Sequence, residues 1–379
     1  MTARAGRLHL RFFVVIIVEG GSIHTRLCQD TVILSVKNGI FCCLCWIGAL
    51  SRAISAEPPP SLGGPPERAR VVMVEDSNAT VAFEPRPSVV LDMVNRGIEK
   101  LTGKGDVKSA WQTFVAPKDV IGLKVYSGPG ANSGTRPAVV EAVVQGLLEA
   151  GIPATHIIVW DRRLVDLRLA GFSYLAGRYN IGLAGSADAG YDEKVFYDNE
   201  LPGTLIAGDL DFDRTGATSG RKSYVSKLLT GSITKIINIA PLLNHNLAGV
   251  CGNLYSLAMG SVDNTDRFLP NGKRLARAVP EIYSLTNLSD HVVLSITDAL
   301  IGQYQGEEMS LLHYSTELNQ IWLSQDPVAL DVLAVQELDR ERQMAKMPST
   351  FENPELFQNA AALELGVPDP SRIRLDVLR

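Results

Sequence analysis

The chain has 379 residues, of which 46% are hydrophobic and 20% charged, an ordinary globular composition that can bury a large core and excludes disordered and collagen-like classes. Its 36 Lys/Arg and 41 Asp/Glu give a formal charge of −5; without residues 1–56, which hold six basic and two acidic residues, 30 stand against 39 and the charge is −9. An acidic chain with no Lys/Arg run lacks the basic footprint that nucleic acid demands, so no nucleic-acid partner is expected.

The first 56 residues differ from the rest and carry four of the five cysteines, Cys28, Cys42, Cys43 and Cys45. The stretch VKNGIFCCLCWIGALSRAISA reads as a secretory signal, with Lys37 as n-region, residues 39–50 as apolar h-region and the small pair Ser55-Ala56 before EPPP as cleavage site. Translation is then expected to start near Val36 rather than at Met1, and cleavage near Ala56 to release a soluble protein of the periplasm or cell envelope. An apolar run this short falls below the about 20 residues of a spanning helix, so no stable membrane span is expected after cleavage; a buried core helix is the other reading of the run. Only Cys251 outlasts such processing, which leaves no internal disulfide and no cysteine-ligated iron–sulfur cluster.

Residues 57–69, EPPPSLGGPPERA, read as a Pro/Gly linker, and the fold is expected to begin at RVVMVED and to occupy residues 70–379 as one domain. Strand-like and helix-like segments then alternate: RVVMVED, PSVVLDMVNRGIEKLTG, DVIGLKVYS, RPAVVEAVVQGLLEAG and HIIVWD. In the fourth, Val139, Val140, Val143, Val144, Leu147 and Leu148 recur at helical spacing, with Gly151 as a stop. Residues 165–232 are richer in Gly, Asp and Tyr, have weak periodicity and read as an irregular insertion. Alternation returns with TKIINIA, HVVLSITDAL and the helix PVALDVLAVQELDRER. The expected class is α/β, a largely parallel or mixed sheet with helices on both faces.

In such a sheet, loops at the carboxyl ends of strands gather on one edge, where ligands bind. The GPGANSGTRP loop frees its backbone at Gly128 and Gly130, while Thr135 and Pro137 fit the opening of a helix whose exposed N–H groups favour anions; an ordinary βα turn is the alternative. HIIVWDRRL brings Asp161, Arg162 and Arg163 to a strand end, where an arginine fork suits carboxylate or phosphate, or else an Asp–Arg pair fixes the loop. His245 follows TKIINIAPLLN, with Asn246 as cap of the next helix and Asn253 placed to orient the ring or a ligand. Its imidazole could move a proton or ligate a metal. Asp298 is expected at the end of HVVLSITDAL, completing the polar wall or sharing a divalent cation with His245. Asp326 and Pro327 read as N-cap and first helical residue, whereas Asp331 lies among Val328, Leu330, Val332 and Leu333, where a carboxylate needs a partner or a raised pKa. Cys251 reads as a core thiol.

Taken in order, DVIGLKVYSGPGANSGTRPAVVEAVVQGLLEAGIPATHIIVWDR, IINIAPLLNHNLAGV, GSVDNTDRF, SITDAL and LSQDPVALDVLA resemble the family catalogued as domain of unknown function number 362, in particular its exported members, over roughly residues 70 to 379. The resemblance implies no reaction; some members are associated with iron–sulfur modules, for which this chain lacks the cysteines. Three positions that are basic or histidine in the family are Leu243, Tyr255 and Leu269 here. The leading expectation is an exported enzyme or former enzyme acting on a small anionic substrate, with His245, Asp298 and Asp331 as candidate catalytic groups. The alternative is a non-catalytic solute-binding or scaffold protein of the cell envelope.

Overall fold

The computed structural model describes residues 68–269, 271–349 and 353–379, together with 18–19 and 22–23. The chain divides into two units, Met1–Pro58 and Pro59–Arg379. In the first, the strands Val18–Glu19 and Ser22–Ile23 pair antiparallel. The expected signal at 36–56 and residues 57–67 of the expected linker lie outside the described residues. Among the described residues no helix is long and apolar enough to cross a membrane.

The second unit is built on one mixed, mostly parallel sheet. Its strands are β1 (Ala69–Glu75), β2 (Ile121–Val125), β3 (Ile157–Asp161), β4 (Gly182–Gly185), β7 (Lys235–His245), β8 (Val292–Gln303), β9 (Ser315–Ser324) and β10 (Ile373–Leu378), numbered so that β5 (Tyr191–Thr204) and β6 (Ser219–Ser226) are the hairpin between β4 and β7. The spatial order is β10-β1-β9-β8-β7-β2-β3-β4, and β9 alone runs against its neighbours. The two-residue strand Gly249–Val250 folds back on the end of β7.

The central strands are apolar on both sides because both faces are covered. Helices α1 (Pro87–Thr102) and α2 (Pro137–Glu149) lie on one face, where Val139, Val140, Val143 and Leu147 meet Ile237 and Ile239 of β7. Pro137 opens α2, and Gly151 just beyond its end adopts φ 91°, as the periodicity and stop residue required. Helices α3 (Asn253–Ser261) and α4 (Pro327–Met344) cover the other face, packing Leu254, Leu257, Val328 and Leu330 with Trp160, Ile236 and Trp322. Asp326 caps α4 by accepting from the Ala329 N–H at 2.8 Å.

The chain leaves β2 for β3 and β4 on one side, and returns to β7 and β8 on the other. The helices that follow β2 and β7 depart to opposite faces, which opens a crevice at the carboxyl ends of these neighbouring strands. The middle of the chain is less irregular than its composition predicts. Gly182–Gly185 joins the main sheet as its edge, and β5 and β6 form a separate antiparallel pair.

Candidate functional site

The pleat of β2 sends Leu123 and Val125 toward α1 and α2, and therefore Lys124 and Tyr126 toward α3. Lys124 is fully buried, and its ammonium donates to Val125 O at 2.6 Å, Asp161 Oδ1 at 2.9 Å and Ser256 Oγ at 3.1 Å. Burial pushes its pKa down, against the pull of Asp161. All three ammonium protons are used, so Lys124 is a fixed positive charge with no lone pair to offer. Asp161 Oδ2 in turn accepts from the Ser127 N–H and hydroxyl, each at 2.7 Å. Space for the lysine exists because α3 carries Gly260, where a Cβ would lie 2.3 Å from Lys124 Cε.

Above this base lies a cleft with two lobes that share Tyr255, Leu269 and Glu308. The first, about 290 Å³, is lined by Asp161, Arg162, Arg163, Gly128 and Thr265 among others. Asp161 and Arg162 thus meet at the strand end, as expected from HIIVWDRRL. Neither Arg162 nor Arg163 makes a side-chain hydrogen bond or ion pair among the described residues; Asp166 lies in their field, with its pKa raised chiefly by burial. Among the described residues the buried Thr265 hydroxyl has no hydrogen-bond partner. Tyr126 donates its hydroxyl to the Glu308 carboxylate and packs edge-on to Tyr255 at 6.3 Å. Burial pushes the phenols of both tyrosines well up.

The second lobe, about 390 Å³, is lined by His245, Leu247, Glu307 and Met309 beside the shared residues. His245 ends β7, with its ring 4.4 Å from that of Tyr255. Its Nδ1 accepts from the Leu247 and Ala248 N–H groups, each at 3.1 Å. Two donors aimed at Nδ1 claim its lone pair, so the neutral ring carries its proton on Nε2. Burial pushes the pKa down, against the pull of Glu307 and Glu308, which reinforces the neutral state. The ring is therefore arranged as an Nε2–H donor and is not posed to ligate a metal through either nitrogen.

Other residues singled out from the sequence lie elsewhere. Asp298 is not at a strand end: β8 continues to Gln303, and the buried carboxylate accepts from the Arg136 N–H at 2.8 Å and pairs with Arg136 Nη1 at 3.1 Å. The anion expected at the opening of α2 is thus supplied from within, by Asp298. Asp298 is in register with Pro241, four residues before His245, a separation of roughly 13 Å along the strands, so the pair shares no cation site. Among the described residues no three His, Cys, Asp or Glu side chains form a group that could hold a metal ion.

Thr135 does not cap α2, whose N-cap is Arg136; its hydroxyl donates to Ile239 O at 2.7 Å and accepts from the Tyr126 N–H at 2.9 Å, tying the loop to β7. Gly130 serves the same loop as a turn residue at φ 80°. Asn246 does not cap α3 because Gly249–Val250 intervenes; its N–H donates to Glu307 at 2.7 Å. Asn253 opens α3 but points away from the imidazole, its amide donating to Thr297 Oγ1 at 3.1 Å and Asp331 Oδ1 at 3.2 Å. Asp331 accepts from the N–H groups of Asn253 and Leu254 at 2.6 and 2.8 Å, a cap supplied to α3 by α4. It has both a partner and a pKa raised by burial to about 7.

Sequence reasoning passed over Lys124, Tyr126, Thr265 and Glu308. A signal for Lys124 was present, since a lysine inside DVIGLKVYS, apolar on both sides, must either be paired or leave the core. Nothing local marks Thr265 or Glu308. Of the three positions departing from the family pattern, Leu243 is buried in the core, while Tyr255 and Leu269 line both lobes.

No curated protein matches the chain. A crystal structure of a protein from Thermotoga maritima is similar at 14% identity and a TM-score of 0.31, covering 66% of this chain; the chain spans 59% of that protein's length. Residues 121–336, which run from the start of β2 into α4 and include every cleft residue named above, match the family described as Domain of unknown function (DUF362), and the chain belongs to that family.

Proposed function

We propose that this chain is an exported protein whose strand-end cleft holds a small anionic molecule. The observation that carries the reading is the pair of guanidinium groups, Arg162 and Arg163, left without hydrogen-bonded partners in the first lobe. Four carboxylates line the same lobe: Asp161 and Glu308 are engaged by Lys124, Ser127 and Tyr126, and among the described residues neither Asp166 nor Asp266 forms an ion pair with either arginine, whose planar fork matches carboxylate and phosphate oxygens.

Of the two classes weighed from the sequence, the titratable groups support non-catalytic binding over an enzyme. A catalytic cleft needs an activated nucleophile or base. Here Lys124 is saturated, burial pushes the Cys251 thiol and both tyrosines up, His245 has its basic nitrogen occupied by backbone, and Asp166, raised by burial, lies in the field of two arginines that favour its charged form.

Calorimetric titration of the purified protein with inorganic phosphate and acetate tests the reading. Binding should weaken at least about tenfold in Arg162→Ala, the loss of roughly one charge-assisted contact. Chelator treatment should leave binding unchanged, and the ligand should be recovered unaltered. Retained affinity in Arg162→Ala and Arg163→Ala together would sink the anion reading. Turnover of a bound ester or anhydride would restore the enzyme. Export is tested by mass spectrometry of the mature N-terminus, expected near Glu57; a peptide from residues 1–35 in that protein would refute it.

A further inference from the structure

We infer that the anion held in the first lobe is the head of a longer molecule whose uncharged, flat apolar body extends past Tyr255 into the second lobe: an arylalkyl carboxylate or an aryl phosphate ester. The inference rests on the proposed anion binding at Arg162 and Arg163. It is carried further by the way the two lobes differ while sharing one wall.

The first lobe offers the guanidinium groups of Arg162 and Arg163, set among Asp161, Asp166, Asp266 and Glu308. The second lobe offers Leu247, Leu269 and Met309 as apolar wall and the Tyr255 ring as a platform. Met309 is exposed, so its side chain is open to a ligand that enters this lobe. The same lobe contains Glu307 and, among the described residues, neither lysine nor arginine, so a second anionic group finds no cationic partner there. The charge pattern therefore orders the ligand, with the anion toward Arg162 and a neutral body toward His245. The Nε2–H of His245 adds one donor in the second lobe, suited to an acceptor atom on the body rather than to a charge.

The test compares acetate and inorganic phosphate with 3-phenylpropionate and phenyl phosphate, titrated calorimetrically into the full chain. The aryl ligands should bind at least about tenfold more tightly than their small counterparts, because a ring leaves water for an apolar wall. In Met309→Asp, an exposed position at which folding is not at stake, that advantage should shrink to less than about threefold. Equal affinity of aryl and small anions for the unaltered chain would overturn the two-lobe ligand while leaving the anion reading intact. An aryl advantage that survives Met309→Asp unchanged would place the ring elsewhere and overturn it as well. Binding of neither series, or binding insensitive to Arg162→Ala, would remove the anion reading and this inference with it.

Discussion

Replacing Lys124 by Met keeps most of the side-chain volume and removes the charge at the base of the cleft. Asp161 would keep the two Ser127 contacts on Oδ2 but lose its cationic partner Lys124, while Val125 O and Ser256 Oγ lose a donor. Both partners are buried, so the dominant cost is an uncompensated carboxylate, about 3–5 kcal/mol. Unfolding entropy is about 2.1 cal/mol/K per residue, which gives about 0.7 kcal/mol/K for the Pro59–Arg379 unit and a fall in melting temperature of about 4–7 °C. Adding Asp161→Asn should recover part of this loss, because the double variant no longer buries a lone charge. Differential scanning calorimetry on the two single variants and the double variant measures both quantities. A Lys124→Met melting temperature within about 1 °C of the parent, or strictly additive effects in the double variant, would refute the argument that the pair acts as one unit.

Gly260→Ala places a methyl group 2.3 Å from Lys124 Cε, and since the lysine is pinned by three hydrogen bonds the variant should lose about 1–3 kcal/mol in urea denaturation. His245→Ala leaves the Leu247 and Ala248 N–H groups without their acceptor and should cost about 1–3 kcal/mol, whereas His245→Asn, whose amide oxygen can take the place of Nδ1, should retain most of the stability yet lose the ring and its Nε2–H. Equal melting temperatures for the two variants would show that Nδ1 does not hold the turn. Burial raises the carboxyls of Asp331 and Asp263 from 3.8 to about 7. Between those values the folded chain holds protons that the unfolded chain has released, so their contribution is full below pH 3.8 and is lost as pH rises through about 7. Denaturant midpoints should accordingly fall across that window for these groups, and Asp331→Asn should flatten the slope.

Local pattern was enough to establish the alternating fold, its main helices and the strand ends that carry Asp161, Arg162 and His245. Helical and strand periods are properties of neighbouring residues, and the punctuation at Pro137, Gly151 and Asp326 acts within a turn or two. Where local pattern ran out, a distant segment decided. Asp298 looks like the end of a strand in SITDAL, but pairing with β7 and with β9 carries β8 on to Gln303 and leaves the carboxylate inside, facing Arg136. Asn246 looks like a helix cap until Gly249–Val250 turns back on β7. STELNQIWLS has no clean alternation and becomes a strand because it lies between β8 and β1. The cleft itself required tertiary structure throughout: Lys124, Asp161, Ser256 and Gly260 come from three elements, and Tyr126 meets Glu308 across 182 residues of chain. Hydrogen-bond geometry likewise assigns the imidazole proton of His245 to Nε2, because which nitrogen carries it depends on where two backbone N–H groups point after the chain has turned.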